Sequence, residues 1–150
     1  ILRSLTKFYS LPGLRLGYAL AHPDLLHQWQ QWRDPWPVNV LAEAAAIASF
    51  QATTFQQQTW QWLPQEREKL FQQLQHLPGL IPLPSAANFL LVKTELSATQ
   101  LQLDLLKTAR IVIRDCLSFP ELGDRFFRVA VRLREENQRL VNALQQILMP

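Results

Sequence analysis

The sequence is short of cysteine, of charge and of long apolar runs, and each shortage excludes something. Cys116 is the only cysteine in 150 residues, so no internal disulfide can form. That points to a reducing compartment, most simply the cytoplasm. Apolar stretches are brief, of the size of Phe89–Val92, and none is long enough to span a membrane. The start lacks a signal-peptide pattern, because Arg3 and Lys7 interrupt the apolar run and no cleavage site follows. His22, His27 and His76 have no metal-ligand spacing. Charged residues are only 18% of the chain and the net charge is +3, too small a surplus to imply nucleic acid by itself. What is present is apolar material, 48% of residues, enough for a core and against disorder as the main state. The length suits one domain, or one and a half.

The basic residues are mostly arginine: eleven of fifteen, with Lys7, Lys69, Lys93 and Lys107 the remainder. Arginine suits planar and phosphate oxyanions, and six of the eleven fall between Arg110 and Arg134. The chain opens on Ile1, inside a strand-like run that reaches Leu5. A domain rarely begins in mid-pattern, so the expectation is a piece whose N-terminal part is missing.

Alternation of Leu14, Leu16, Tyr18 and Leu20 with smaller residues and Arg15 suggests a strand over 13–21. Pro23 can open a helix whose face carries Leu25, Trp29 and Trp32. The run Asp34-Pro35-Trp36-Pro37 ends it. Asn39 is a good N-cap for a helix over 40–51. A Gln-rich helix over 54–77 follows, with Pro64 as a candidate kink and Leu63, Leu70, Leu74 and Leu77 on one face. The five tryptophans (29, 32, 36, 60 and 62) read as packing residues, with a subunit contact for some. After Pro78-Gly79 the order is strand (87–92), helix capped by Ser97-Ala98-Thr99-Gln100 and ending near Ala109, strands at 111–114 and 127–132, and a closing helix over 135–148. The expected organisation is α/β: residues 1–63 as the tail of a larger domain, and 64–150 as a small α+β domain with an antiparallel sheet.

Lys7 sits among Ser4, Leu5, Thr6, Phe8 and Tyr9, with no acid nearby in sequence. At the end of a buried strand its charged form would be disfavoured, and a neutral amine attacks carbonyls. The plainer alternative is a lysine that snorkels at a strand end. The wider pattern is Ser4-Leu5-Thr6-Lys7, then Leu11-Pro12-Gly13-Leu14-Arg15-Leu16-Gly17-Tyr18, in which the Leu-Pro-Gly turn would return Arg15 toward the lysine. A lysine, two hydroxyls and a guanidinium suit an aldehyde that carries a phosphate. This stretch closely resembles the lysine motif of the fold-type I pyridoxal-phosphate enzymes, in the class I/II aminotransferase branch. The pattern that follows matches the family to the end of the chain. The resemblance implies the C-terminal part of such an enzyme: the end of the large domain plus the small domain. It implies that Lys7 bonds covalently to pyridoxal 5'-phosphate, that Ser4, Thr6 and Arg15 bind the cofactor phosphate, and that the intact protein is a homodimer.

Arg114 ends one expected strand, and Arg128, Ala130 and Arg132 share a face of the next. Two neighbouring strands would thus aim arginines at one space. The plainer alternative is a row of solvated arginines, or ion pairs with Glu135 and Glu136. No aromatic or Gly-rich element accompanies the cluster, which weakens a nucleic-acid reading. The family resemblance implies that Arg128 takes the substrate carboxylate and Arg114 the phosphate of a phosphorylated amino acid. The run from Arg114-Asp115-Cys116 through Phe119-Pro120 to Gly123–Arg132 resembles the members that decarboxylate such a substrate. Phosphate-substrate aminotransferases are the alternative and typically have Gly where this chain has Arg132. Glu121, where the decarboxylating members usually have Gly, is a departure. A non-catalytic remnant or interaction module is the alternative of another class. Cys116, with no His near in sequence, reads as a small apolar filler.

Overall fold

The computed structural model describes residues 1–149. The chain forms two compact units, Ile1–Gln57 and Gln58–Pro150. The first opens with an antiparallel ribbon of β1 (Leu2–Ser4) and β2 (Gly17–Ala19). The helices α1 (Pro23–Trp32) and α2 (Val40–Gln51) follow, and α3 (Thr53–Gln75) leads into the second unit. The second unit holds β3 (Leu80–Pro82), β4 (Phe89–Thr94), α4 (Ala98–Ala109), β5 (Arg114–Asp115), β6 (Phe126–Ala130) and α5 (Arg134–Leu148). Its sheet is antiparallel with order β3-β4-β6-β5. No helix among the described residues is long and apolar enough to cross a membrane.

The second unit owns a continuous core. Leu70 and Leu74 of α3, Leu90 and Val92 of β4, Leu101 and Leu105 of α4, Phe127 of β6 and Leu144 of α5 are all buried together. The alternation along β6 puts Phe127 and Val129 inward and Arg128 and Ala130 outward. One face of the sheet is therefore packed and the other is open. The first unit is different. Among its described residues only Leu5 and Ala42 are buried hydrophobics. The expected packed face of α1 is not buried: Leu25, Trp29 and Trp32 are exposed, Trp32 at 78%, and Trp36 beyond the helix stands at 89%.

Local chemistry explains most boundaries. Asn39 accepts the Ala42 N–H at 2.8 Å and starts α2. Ser97 accepts the Gln100 N–H at 3.0 Å and starts α4. The reciprocal half of that capping box is missing, because the Gln100 amide donates to Asp104 instead. α3 runs through Pro64 as one element. The strand expected over 13–21 is only Gly17–Ala19, because Pro12–Leu14 coils into a 3-10 turn and Arg15 is left-handed at φ 54°. The last two strands also shift: β5 begins only at Arg114, and β6 ends at Ala130. β3 has no counterpart in the sequence pattern; it is three residues long and contains Pro82, tolerated because β3 is an edge strand.

Glu66 of α3 is a buried acid in the second unit. Its Oε1 lies 3.1 Å from Lys69 Nζ and 3.3 Å from Arg134 Nη2. Burial pushes its carboxyl up, but Lys69 and then Arg134 outweigh it and hold the group below the ordinary glutamate value. The partners are substantially exposed, Lys69 at 47% and Arg134 at 71%, so solvent screens the attraction. Glu66→Gln is expected to lower stability by about 1–2 kcal/mol near neutral pH, read as a lower Tm. The depressed pKa sets the sign of the pH effect. The wild-type advantage is complete above the unfolded value, about 4.3, and disappears as pH falls through the lower native value. The two proteins should therefore converge in acid.

Candidate functional site

The Lys7 segment is a turn after β1, built by backbone bonds. Leu5 N–H donates to Leu16 O at 3.1 Å, Leu11 N–H to Thr6 O at 3.1 Å, and Ser10 N–H to Lys7 O at 3.3 Å. Ser4 Oγ accepts the Thr6 N–H at 3.3 Å, joining the two hydroxyl residues directly. Ser4 lies opposite Gly17 in the ribbon. A Cβ on Gly17 would meet the Arg3 carbonyl oxygen at 2.6 Å, so only glycine allows this approach. An aromatic cluster props the turn: Phe8 meets Tyr9 at 4.9 Å and Phe55 at 5.8 Å, both edge-on. Tyr9 packs edge-on to Phe50, and Gln56 donates to its hydroxyl at 3.1 Å. Tyr18 is partly exposed and meets Phe50 edge-on.

Arg15 adopts φ 54° and ψ 52°, a conformation strained for a residue with a Cβ. Two bonds hold it. Its Nη1 donates to Pro12 O at 2.9 Å, and Asn39 Nδ2 donates to Leu14 O at 3.3 Å. Asn39 thus caps α2 and pins the Arg15 turn at once. Sequence pattern gives the first role and not the second.

One expectation for Lys7 needs correction. It is exposed, not at the end of a buried strand. In this chain the ribbon has two strands, exposed except at Ala19, and a lone ribbon supplies no second layer over Lys7. The Arg15 guanidinium donates to Pro12 O. The chemistry of the donor set still fits a phosphate-bearing aldehyde. Ser4, Thr6, Lys7 and Arg15 supply two hydroxyls, an amine and a guanidinium, and residues 1–17 contain no carboxylate side chain to compete.

On the open face of the second sheet, Arg114 of β5 and Arg128 of β6 are direct cross-strand partners. Both are exposed. Like charges opposite one another repel, and neither has an ion-pair partner among the described residues. Arg128 lies over the Phe89 ring, 4.8 Å from its centroid. Arg132 does not join them. It lies beyond β6 and pairs with Glu136 at 2.7 Å, so the plainer reading holds for that residue. The buried side chain of Asn137 satisfies the Arg132 backbone at both its N–H and C=O.

The loop joining β5 to β6 is tied down. Asp124 Oδ1 accepts the Thr99 N–H at 2.9 Å and the Thr99 hydroxyl at 2.8 Å. The Ser97 hydroxyl, then the two Thr99 donors, hold the Asp124 carboxyl below the ordinary aspartate value. Cys116 is buried at the start of this loop. Burial pushes its thiol up, with Arg128 and Arg114 offsetting part of the rise. That agrees with a filler and not a nucleophile.

Helices on one face of a small antiparallel sheet, preceded by a lysine-bearing ribbon, form the mixed helix–sheet fold of the pyridoxal-phosphate-dependent aminotransferases. The family model "Aminotransferase class I and II" matches residues 1–144, and the chain belongs to that family. The threonine-phosphate decarboxylase of Salmonella typhimurium is 44% identical over 149 residues, covering 99% of this chain and 41% of that protein. The solved L-threonine-O-3-phosphate decarboxylase of Porphyromonas gingivalis superposes with a TM-score of 0.89 at 28% identity, covering 99% of this chain and 46% of that one. The histidinol-phosphate aminotransferase of Sinorhizobium meliloti, solved in complex with pyridoxal-5'-phosphate, gives 0.84 at 27% identity, covering 98% and 40%. The chain thus spans about two-fifths of the length of the relative it matches at 44% identity.

Proposed function

We propose that this chain is the C-terminal part of an enzyme that decarboxylates O-phospho-L-threonine to (R)-1-amino-2-propanol O-phosphate with pyridoxal phosphate, a step in cobalamin biosynthesis. The observation that carries the reading is the 44% identity to the Salmonella threonine-phosphate decarboxylase over nearly the whole chain. The facing pair Arg114 and Arg128 supports it, since two guanidiniums suit a substrate with two anionic ends.

In this reading Lys7 offers its amine to the cofactor aldehyde, while Ser4, Thr6 and Arg15 offer donors to the cofactor phosphate. When bound, the cofactor supplies an electron sink for charge that develops at the substrate α-carbon. Arg128 takes the substrate carboxylate and Arg114 its phosphate. By holding both ends they set which α-carbon bond is oriented to break: the bond to the carboxylate for decarboxylation, or the C–H bond, with Lys7 as base, for transamination. The reading includes a cytoplasmic homodimer of the intact protein, and this chain alone is inactive. The second reading, a histidinol-phosphate aminotransferase, rests on the likeness to the Sinorhizobium structure.

The test supplies the intact protein with O-phosphothreonine and, separately, histidinol phosphate. Carbon dioxide from the first, and no amino transfer from the second to an added 2-oxo acid, is the expected result. The reverse outcome replaces the decarboxylase with the aminotransferase.

A further inference from the structure

We infer that Phe89 is a positioning residue for Arg128: its ring holds the guanidinium by the face and leaves the hydrogen-bonding edge for an anion. This rests on the reading of Arg128 as an anion-binding residue. Arg15, Arg67 and Arg139 donate to backbone carbonyls, and Arg132 and Arg134 donate to glutamates. Each of them spends N–H groups on its restraint. The Arg128 side chain makes no hydrogen bond among the described residues, yet it is restrained, with Cζ 4.8 Å from the Phe89 centroid.

The sheet register explains the geometry. Arg128 lies opposite Leu91, and Phe89 lies opposite Ala130, so Phe89 and Arg128 are diagonal neighbours on the open face. A carboxylate at position 89 would restrain Arg128 equally well, but it would occupy the N–H fork and cancel the charge. A ring contacts only the flat face, through its quadrupole. Arg114, on the other side of Arg128, would push an unrestrained guanidinium away. The ring opposes that displacement without adding negative charge. Phe89 therefore lowers the ordering cost of binding an anion.

The experiment uses the 150-residue chain and inorganic phosphate as probe. Side-chain Nε–Hε signals of Arg114 and Arg128 are followed by NMR in wild type, Phe89→Leu, Phe89→Tyr and Arg128→Ala. Wild-type Arg128 should be more rigid than Arg114 in relaxation measurements. Phe89→Leu should weaken phosphate binding about three- to fivefold, the size of an exposed cation–π contact, with the amide spectrum otherwise retained. Phe89→Tyr should bind as wild type does. The inference is overturned if Phe89→Leu binds phosphate as tightly as wild type, if Phe89→Tyr loses as much as Phe89→Leu, or if Arg128 is as mobile as Arg114 in wild type. It is also overturned if phosphate leaves the wild-type Arg128 signal unmoved. The functional reading fails separately, when the intact protein releases no carbon dioxide, a result that leaves these affinities unchanged.

Discussion

Replacing Lys7 by alanine in the intact protein is expected to lower turnover by at least about a thousandfold. The reason is chemical. No other amine lies within the Ser4–Arg15 segment, and a guanidinium or hydroxyl cannot take its place as nucleophile toward an aldehyde. Cofactor binding should weaken less than turnover, because Ser4, Thr6 and Arg15 remain to grip the phosphate. The measurement pairs steady-state kinetics with the visible absorbance of the cofactor. Activity that persists in Lys7→Ala removes the enzyme assignment.

Arg128→Lys is the second large effect. It keeps the charge but loses the planar fork. Charge-assisted hydrogen bonds contribute about 1.5–3 kcal/mol, so KM for O-phosphothreonine should rise roughly ten- to a hundredfold. Arg114→Ala should act differently. It should raise KM for the phosphorylated substrate while leaving that for unphosphorylated threonine nearly unchanged. In the proposed reading the two arginines orient the α-carbon together, so either change should also raise the share of keto acid among the products. Equal losses for both substrates in Arg114→Ala would dismiss its role as phosphate ligand.

Legibility in the sequence followed how local the signal was. The caps Asn39 and Ser97 act within three residues, and both were readable. The face of α3 was readable because helical spacing alone places Leu70 and Leu74 together. The nature of the lysine motif was readable from its residue types, and the family match over residues 1–144 agrees with it. Lys7 burial was not, because burial depends on layers that a two-stranded ribbon does not supply. The face-to-face position of Arg114 and Arg128 was only half visible. That they share one space was expected, but their direct pairing depends on the β5–β6 register, set by a loop that Asp124 ties to α4. Arg132 followed the period-two pattern in sequence, yet the strand stops at Ala130, so pattern failed where the chain turned toward α5. Phe89 gave no signal at all, since a diagonal contact between strands leaves no trace in spacing.

The alternation in β6 has a consequence for error. Phe127 and Val129 fill the core from the same strand that displays Arg128. Sliding that strand by one position would drive a guanidinium into hydrocarbon and strand two apolar side chains in water. A misaligned arginine face therefore cannot coexist with a sound interior. Assembly of the second unit proofreads its own arginine-bearing face, and every molecule that succeeds in folding there displays Arg128 outward.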